Sequence, residues 1–278
     1  MRKNNKVENK SKTEEKPSFA KLDRIYKDKD WKNFKNKPVI PLGADTPTNN
    51  LVGNLDNYFN LLVGGKKGSG KSTLLHCGIV NLLRNTKPGK VRFILIDAKR
   101  KDFIVYDNLP ILLFPIITKY EKAITALRWC CSELDRRVEM SSAHKKHDKF
   151  DDPVNKMPRI VIVINELSEL AKIRPKYFNK VIGGISKYGP LVHMHLLASI
   201  SEISNKLLSE KVIGSFHRVA FATNSGEASK ILIGGRGAEK LKGRGDAILK
   251  FPDKEKENIH FQGFFISQKE IRKTVAAF

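Results

Sequence analysis

Cysteine is scarce in this 278-residue sequence: Cys77, Cys130 and Cys131 are the three, and no C-x-x-C pair occurs among them. Three thiols cannot build a disulfide framework, so the expected setting is reducing and cytoplasmic. Long apolar runs are also lacking. Ile160–Ile164 and Ile111–Ile117, the latter broken by Pro115, fall far short of the roughly 20 residues that cross a bilayer, so no transmembrane segment is expected. Met1-Arg2-Lys3-Asn4-Asn5-Lys6 runs into further charge rather than an apolar core, so no secretory signal is expected either. Acidic residues are few: 29 Asp and Glu against 52 Lys and Arg leave a net charge of +23. An excess of that size attracts polyanions, whether nucleic acid or an anionic membrane surface, but does not bear on fold. Apolar residues at 40% and aromatics at 8% exclude a wholly disordered or collagen-like chain. The length suits one large α/β domain or two small ones.

From Met1 to Lys37 the sequence is rich in Lys, Asn and Glu, with 13 basic and 6 acidic residues. It reads as a solvated, flexible arm that serves either solubility or non-specific contact with a polyanion, its end anchored by Trp31 and Phe34. From Pro38 the texture changes, and residues 38–278 read as one folded body. Short apolar runs at Tyr58–Val63, Val91–Ile96, Arg159–Ile164, His193–Ala198, Arg218–Phe221 and Ala247–Phe251 are strand candidates, several too uniformly apolar for a sheet with one wet face. Helical patterns lie between and beyond them at Lys71–Arg84, Thr118–Met140, Pro175–Lys187, Ser225–Leu232 and Ser267–Ala277. The alternation predicts an α/β fold, a mainly parallel sheet with helices on both faces.

Gly65-Lys66-Lys67-Gly68-Ser69-Gly70-Lys71-Ser72 matches G-x-x-x-x-G-K-[ST] at every specified position. A buried strand, Leu61-Leu62-Val63, precedes it, and a helix opens after it at Thr73-Leu74-Leu75, which is the context a phosphate-binding P-loop requires. Glycines let the backbone N–H groups turn inward on the phosphates, and the helix N-terminus adds partial positive charge. Lys71 then reaches the β- and γ-phosphates and the Ser72 hydroxyl ligates Mg²⁺, so ATP and Mg²⁺ are the expected cofactors, held by residues 65–73 with Thr73 closing the set.

A P-loop also needs an acidic element at the end of a neighbouring strand, to orient water on the metal and to polarise the attacking water. Arg159-Ile160-Val161-Ile162-Val163-Ile164-Asn165-Glu166 is the candidate. Glu166 sits where a general base belongs. Asn165 occupies the place usually held by Asp; it can hydrogen-bond a metal-bound water but lacks the negative charge that helps hold Mg²⁺, so hydrolysis is expected to be slow.

These blocks resemble the motor domain of the FtsK/SpoIIIE DNA translocases, a branch of the RecA-like P-loop ATPases, from about Pro38 to the C-terminus. The resemblance rests on Leu61–Thr73, Leu95-Ile96-Asp97-Ala98-Lys99-Arg100, Ala126-Leu127-Arg128-Trp129-Cys130 with Glu133 and Arg136-Arg137, and Pro158–Leu170. It is most specific at Gly237-Ala238-Glu239-Lys240-Leu241-Lys242-Gly243-Arg244-Gly245-Asp246 and continues through Gln262–Ser267 with Glu270-Ile271. It implies a homo-oligomeric ring, a hexamer in the family, that uses ATP to thread double-stranded DNA through a central pore. Contacts to the DNA should be backbone-directed, because processive movement cannot depend on base identity. Lys145, Lys146, Lys149, Lys172, Arg174 and Lys176 are candidates for them, with ordinary solvated surface charge as the alternative for each.

The sequence departs from the family pattern at three places. The A-T-Q that senses the γ-phosphate appears as Ala198-Ser199-Ile200; the segment carrying a trans-acting arginine appears as Lys187-Tyr188-Gly189-Pro190, leaving Arg236 or Arg244 as substitutes; and Asn165 replaces Asp. Weak or partner-dependent turnover is the expectation. The short, Lys/Asn-rich form resembles a coupling or transfer ATPase of a conjugative plasmid or other mobile element, working with membrane-bound transfer machinery, or a DNA-segregation motor. The alternatives are a protein-secretion ATPase of the same family, disfavoured by the charge of +23, and an ATP-binding DNA scaffold with little turnover.

Asp97, at a strand end, either faces the nucleotide or makes a structural hydrogen bond. Metal sites at His144-Lys145-Lys146-His147-Asp148 and His193-Met194-His195 are disfavoured by interposed lysines and by the lack of a third ligand. Cys130-Cys131 reads as helix packing.

Overall fold

The computed structural model describes residues 21–98, 102–144, 152–253 and 255–278. Nine strands form one sheet in the order β2-β1-β9-β8-β7-β3-β6-β5-β4. Five of them, β3 (Leu61–Gly64), β4 (Val91–Asp97), β5 (Arg159–Asn165), β6 (Met194–Ile200) and β7 (His217–Phe221), are parallel neighbours in the order β7-β3-β6-β5-β4. An antiparallel extension adds β8 (Asp246–Lys250), β9 (Ile259–Gly263), β1 (Val39–Thr46) and β2 (Asn49–Asn54) beyond β7. The expected α/β architecture with helices on both faces is what the chain adopts.

The apolar strands divide their side chains between two cores. Leu61, Val63, Leu95, Val161, Val163 and Leu197 face α1 (Lys71–Asn85), while Leu62, Ile94, Ile96, Ile162, Ile164 and Leu196 face α2 (Tyr120–His144), α3 (Leu167–Ala171) and α4 (Pro175–Tyr188). This is the period-two alternation of a strand buried on both sides, which is why these runs show no polar face. α5 (Glu210–Gly214) and α6 (Gly226–Ile233) continue the second layer, and α7 (Gln268–Ala276) packs beside α1. Local chemistry fixes the ends: Pro175 opens α4, Ser225 caps α6, and Ser267 and Glu270 form a reciprocal capping box at α7.

Residues 1–20 of the expected arm lie outside the described residues. From Lys21 onward the segment packs against the body. Two 3-10 turns, Leu22–Lys27 and Lys29–Phe34, bury Leu22, Ile25 and Trp31, and Trp31 sits edge-on to Tyr26, 5.5 Å between ring centres. Tyr26 donates to Asn81 of α1 (3.0 Å), and Asn85 donates to the carbonyls of Phe34 and Lys37 (2.8 and 2.9 Å). Trp31 and Phe34 therefore anchor as expected, but Leu22 and Ile25, hidden among charges, extend the contact sixteen residues toward the N-terminus from Lys37.

Candidate functional site

The strand order places β3 between β6 and β7, and the loop that follows β3 emerges at the carboxyl ends of all three. Both neighbours hold its start: Gly65 N donates to Ile200 O (3.2 Å) and Lys66 N donates to Ala222 O (2.7 Å). The loop then turns through positive φ at Gly65, Gly68 and Gly70 (153°, 77° and 123°). A side chain at Gly65 would press on Ser69 Oγ and Phe221 Cβ, at 2.8 and 2.9 Å, in a conformation that L-residues rarely adopt. Lys66, Lys67 and Gly68 form the exposed crest of the loop, and Ser69 is buried with its hydroxyl unpartnered. A buried hydroxyl free to donate, inside a glycine-rich cradle at a helix N-terminus, suits a phosphate. Thr73 lies on the first turn of α1.

Lys71 is almost fully buried. Its ammonium donates to the carbonyls of Gly65 (2.9 Å) and Lys66 (3.1 Å) and lies 3.4 Å from Glu166 Oε1. Glu166 sits at the turn from β5 into α3 with a left-handed backbone (φ 61°), a conformation that costs about 1–3 kcal/mol and persists where its surroundings impose it. Two serines of the β6 end impose it here. Ser199 Oγ accepts from Glu166 N (2.8 Å), and Ser201 donates to the Glu166 carboxylate.

Asn165 shares a register position with Asp97 at the carboxyl ends of β5 and β4. Its amide donates to Asp97 Oδ1 (3.2 Å) and to Asp102 Oδ2 (2.8 Å), while its own oxygen accepts from Ser199 (2.9 Å). Asp97 is fully buried and also accepts from the backbone N–H groups of Asp102 (2.9 Å) and Phe103 (3.1 Å), so it makes structural hydrogen bonds while standing within the site. Asp102 in turn accepts from the Ser72 hydroxyl at 2.8 Å. His76, one turn along α1, rests with Nδ1 2.7 Å from the Tyr106 hydroxyl. Burial holds its imidazole down at about 4, although Asp102 and Asp97 draw it upward, so it is neutral at pH 7.

The structure thus brings together Gly65, Lys66, Lys67, Gly68, Ser69, Gly70, Lys71, Ser72, Thr73, Asn165 and Glu166. Sequence reading missed Asp102, Ser199 as a partner, and Ser201; the one signal for Asp102 was an acidic residue a few positions beyond Asp97. Arg244 lies against the same loop: with Gly68, Gly70, Thr73, Phe221, Gly245 and Phe265 it lines a cavity of about 180 Å³. Arg236 instead packs over Gly226 at the start of α6.

Of the proposed DNA contacts, Lys145, Lys146 and Lys149 lie outside the described residues. Lys172 is paired with Glu202 (2.5 Å) and Glu169 (3.8 Å), whereas Arg174, which precedes α4, and Lys176, on its first turn, are exposed. The segment His144–Asp148 cannot be placed as a site, because residues 145–148 lie outside the described residues. Among the described residues no cluster of three metal-binding side chains occurs, and His195 instead bonds the Phe59 carbonyl at 3.0 Å. Cys130 is buried in the second core and Cys131 is half-buried beside it. No helix among the described residues is long and apolar enough to cross a membrane.

Comparison with known proteins bears on the whole arrangement. The DNA translocase FtsK of Clostridium tetani is 30% identical over 263 residues, covering 91% of this chain and 35% of that protein. The FtsK of Lactiplantibacillus plantarum is 32% identical over 256 residues, covering 86% and 32%. The chain therefore spans about a third of the length of these curated relatives. Two solved structures share the fold at a TM-score of 0.71: the cytoplasmic domain of the Thermomonospora curvata type VII secretion ATPase EccC (22% identity, 87% of this chain and 31% of that one) and the pCW3 conjugation coupling protein TcpA with ATPγS (18% identity, 87% and 70%). Residues 21–171, more than half of the chain, match the FtsK/SpoIIIE family, and the chain belongs to that family.

Proposed function

We propose that this chain is an ATP-driven DNA motor domain, which hydrolyses ATP and moves along double-stranded DNA without reading its sequence. The single observation that carries this reading is the convergence of Lys71, Ser72 and Glu166 at the carboxyl end of the sheet. The P-loop residues 65–73 would cradle the ATP phosphates, and Ser72 would ligate Mg²⁺. The fit is supported by the unpartnered Ser69 hydroxyl and by the all-oxygen donor set that a hard cation prefers. When bound, Mg²⁺ supplies charge neutralisation on the phosphates.

The resting contacts of Lys71 suggest how the site is switched. Its ammonium is shared between two loop carbonyls and Glu166. Phosphates entering the cradle would draw the ammonium toward them, releasing the Glu166 carboxylate to accept a proton from the attacking water. Ser201 and the left-handed backbone hold that carboxylate in position meanwhile. Arg244, exposed at the loop's edge, is better placed than Arg236 to act on a nucleotide, either its own or one in an adjoining subunit of a homo-oligomeric ring.

The charge of +23 supports DNA over a polypeptide as the substrate, because phosphate attraction needs a broad positive field and polypeptide handling does not. Arg174 and Lys176 are the described candidates for phosphate contact. A cytoplasmic hexamer engaged in conjugative or mobile-element DNA transfer, alongside membrane-bound machinery, or in segregation, is the setting we favour. The test is the affinity for random-sequence duplex DNA at 50 and 200 mM salt, in the presence of ATPγS. An affinity that falls about 100-fold, as roughly four neutralised phosphates would give, supports the reading. Absence of DNA binding at the lower salt overturns it in favour of a secretion ATPase.

A further inference from the structure

The sequence leaves an apparent gap at Asn165, where a carboxylate beside the metal is expected, but a carboxylate from the turn after β4 stands next to it. Asp102 follows β4, four residues after Ala98, and its Oδ2 accepts from Ser72 Oγ at 2.8 Å. Ser72 is the P-loop hydroxyl that a nucleotide-bound cation requires. The two oxygens are thus side by side and of the hard-donor type that Mg²⁺ takes.

Asn165 is meanwhile fully committed to scaffolding. Its amide bridges Asp97 and Asp102, and its oxygen is taken by Ser199. Asp97 is buried and bonds the backbone of the very turn that carries Asp102. Asp102 is half-buried and so remains open to the site. An Asp at position 165 would set a third carboxylate against these two; the neutral amide removes that repulsion and ties both in place. The site therefore keeps its negative charge at a different position.

We propose that Asp102 supplies the carboxylate for the divalent cation held with Ser72, and that Asn165 orients it. This rests on the nucleotide-binding reading above and names the metal-side residue of that same site. The experiment measures ATPγS affinity with and without Mn²⁺, together with the Mn²⁺ spin-resonance signal, for the full chain, for Asp102→Asn, and for the exchanged pair Asp102→Asn with Asn165→Asp. Mn²⁺ should raise the affinity of the natural chain; that gain should fall about 10-fold or more in Asp102→Asn, and the exchanged pair should recover it. Metal-free nucleotide binding by each variant shows that its cradle is folded. If Asp102→Asn keeps the full gain, or if the exchanged pair fails to recover a lost one, the proposal is overturned while the nucleotide site stands. If the natural chain binds no ATPγS with or without Mn²⁺, the nucleotide reading itself fails and takes the proposal with it.

Discussion

The Asn165 side chain makes three hydrogen bonds, two of them to carboxylates, in a place where the surrounding strands exclude most water. Charge-assisted bonds of this kind are worth about 1.5–3 kcal/mol each when both partners fit. Asn165→Asp replaces the donor with a third negative charge beside Asp97 and Asp102. The expected outcome at pH 7 without divalent cations is a loss of about 2 kcal/mol, read as a melting temperature lower by about 4–8 °C, with Mg²⁺ restoring part of it. An unchanged melting temperature would show that the amide does not hold the two carboxylates. At this scale the sequence was informative about the P-loop and Glu166, because each is a contiguous motif on a strand end. For Asp102 it offered only an acidic residue near Asp97, and for Ser201 nothing, because their partners lie 30 and 35 positions away. It did not show that Asn165 bonds Asp97 and Asp102, because those carboxylates are carried by β4 and the turn after it.

Among the elements, α2 is joined by the buried Arg137 to the segments that lead into the sheet. Arg137 is 1% exposed, and its guanidinium donates to Glu133 (2.7 Å), to the carbonyls of Val192 and Pro158 (3.1 Å each) and to that of His193 (3.5 Å). It thereby joins α2 to the segments entering β5 and β6. Its planar fork spreads donors toward Glu133 and toward carbonyls of two chain segments, a span wider than the single nitrogen of a lysine covers. Arg137→Ala is expected to cost about 3 kcal/mol, lowering the melting temperature by about 6–12 °C, and Arg137→Lys to recover a minor part. A lysine variant as stable as the natural chain would contradict this account.

The same scale shows what was legible in the fold. β3 to β8 and the five longer helices fall within a few residues of their sequence patterns, because a doubly covered strand or an amphipathic helix writes its period directly. β1, β2 and β9 were missed. β1 carries Pro41 and Gly43, and its pairing with β2 shifts register between them; Gly43 is required because a Cβ there would meet the Gln262 carbonyl at 2.1 Å. β1 and β9 are set by pairing with each other, Gly43 against Gly263, a contact distant in sequence. α3 and α5, at five residues each, are too short to show a period.

For the whole molecule, the net charge of +23 and the nucleotide-type site must belong to one activity if the chain is a motor. Arg174 and Lys176 follow α3, the helix that Glu166 opens, and Lys172 on the same segment is tied to Glu202, just past Ser201, the Glu166 partner. A phosphate backbone engaging that segment would thus act on the chain next to the Glu166 carboxylate. The most direct measurement is the steady-state rate of ATP hydrolysis with and without long double-stranded DNA, using Lys71→Ala as the blank. The expected result is a rate stimulated at least about 10-fold by DNA and abolished in Lys71→Ala. A rate that stays at the blank level with saturating DNA would contradict the motor account for this chain.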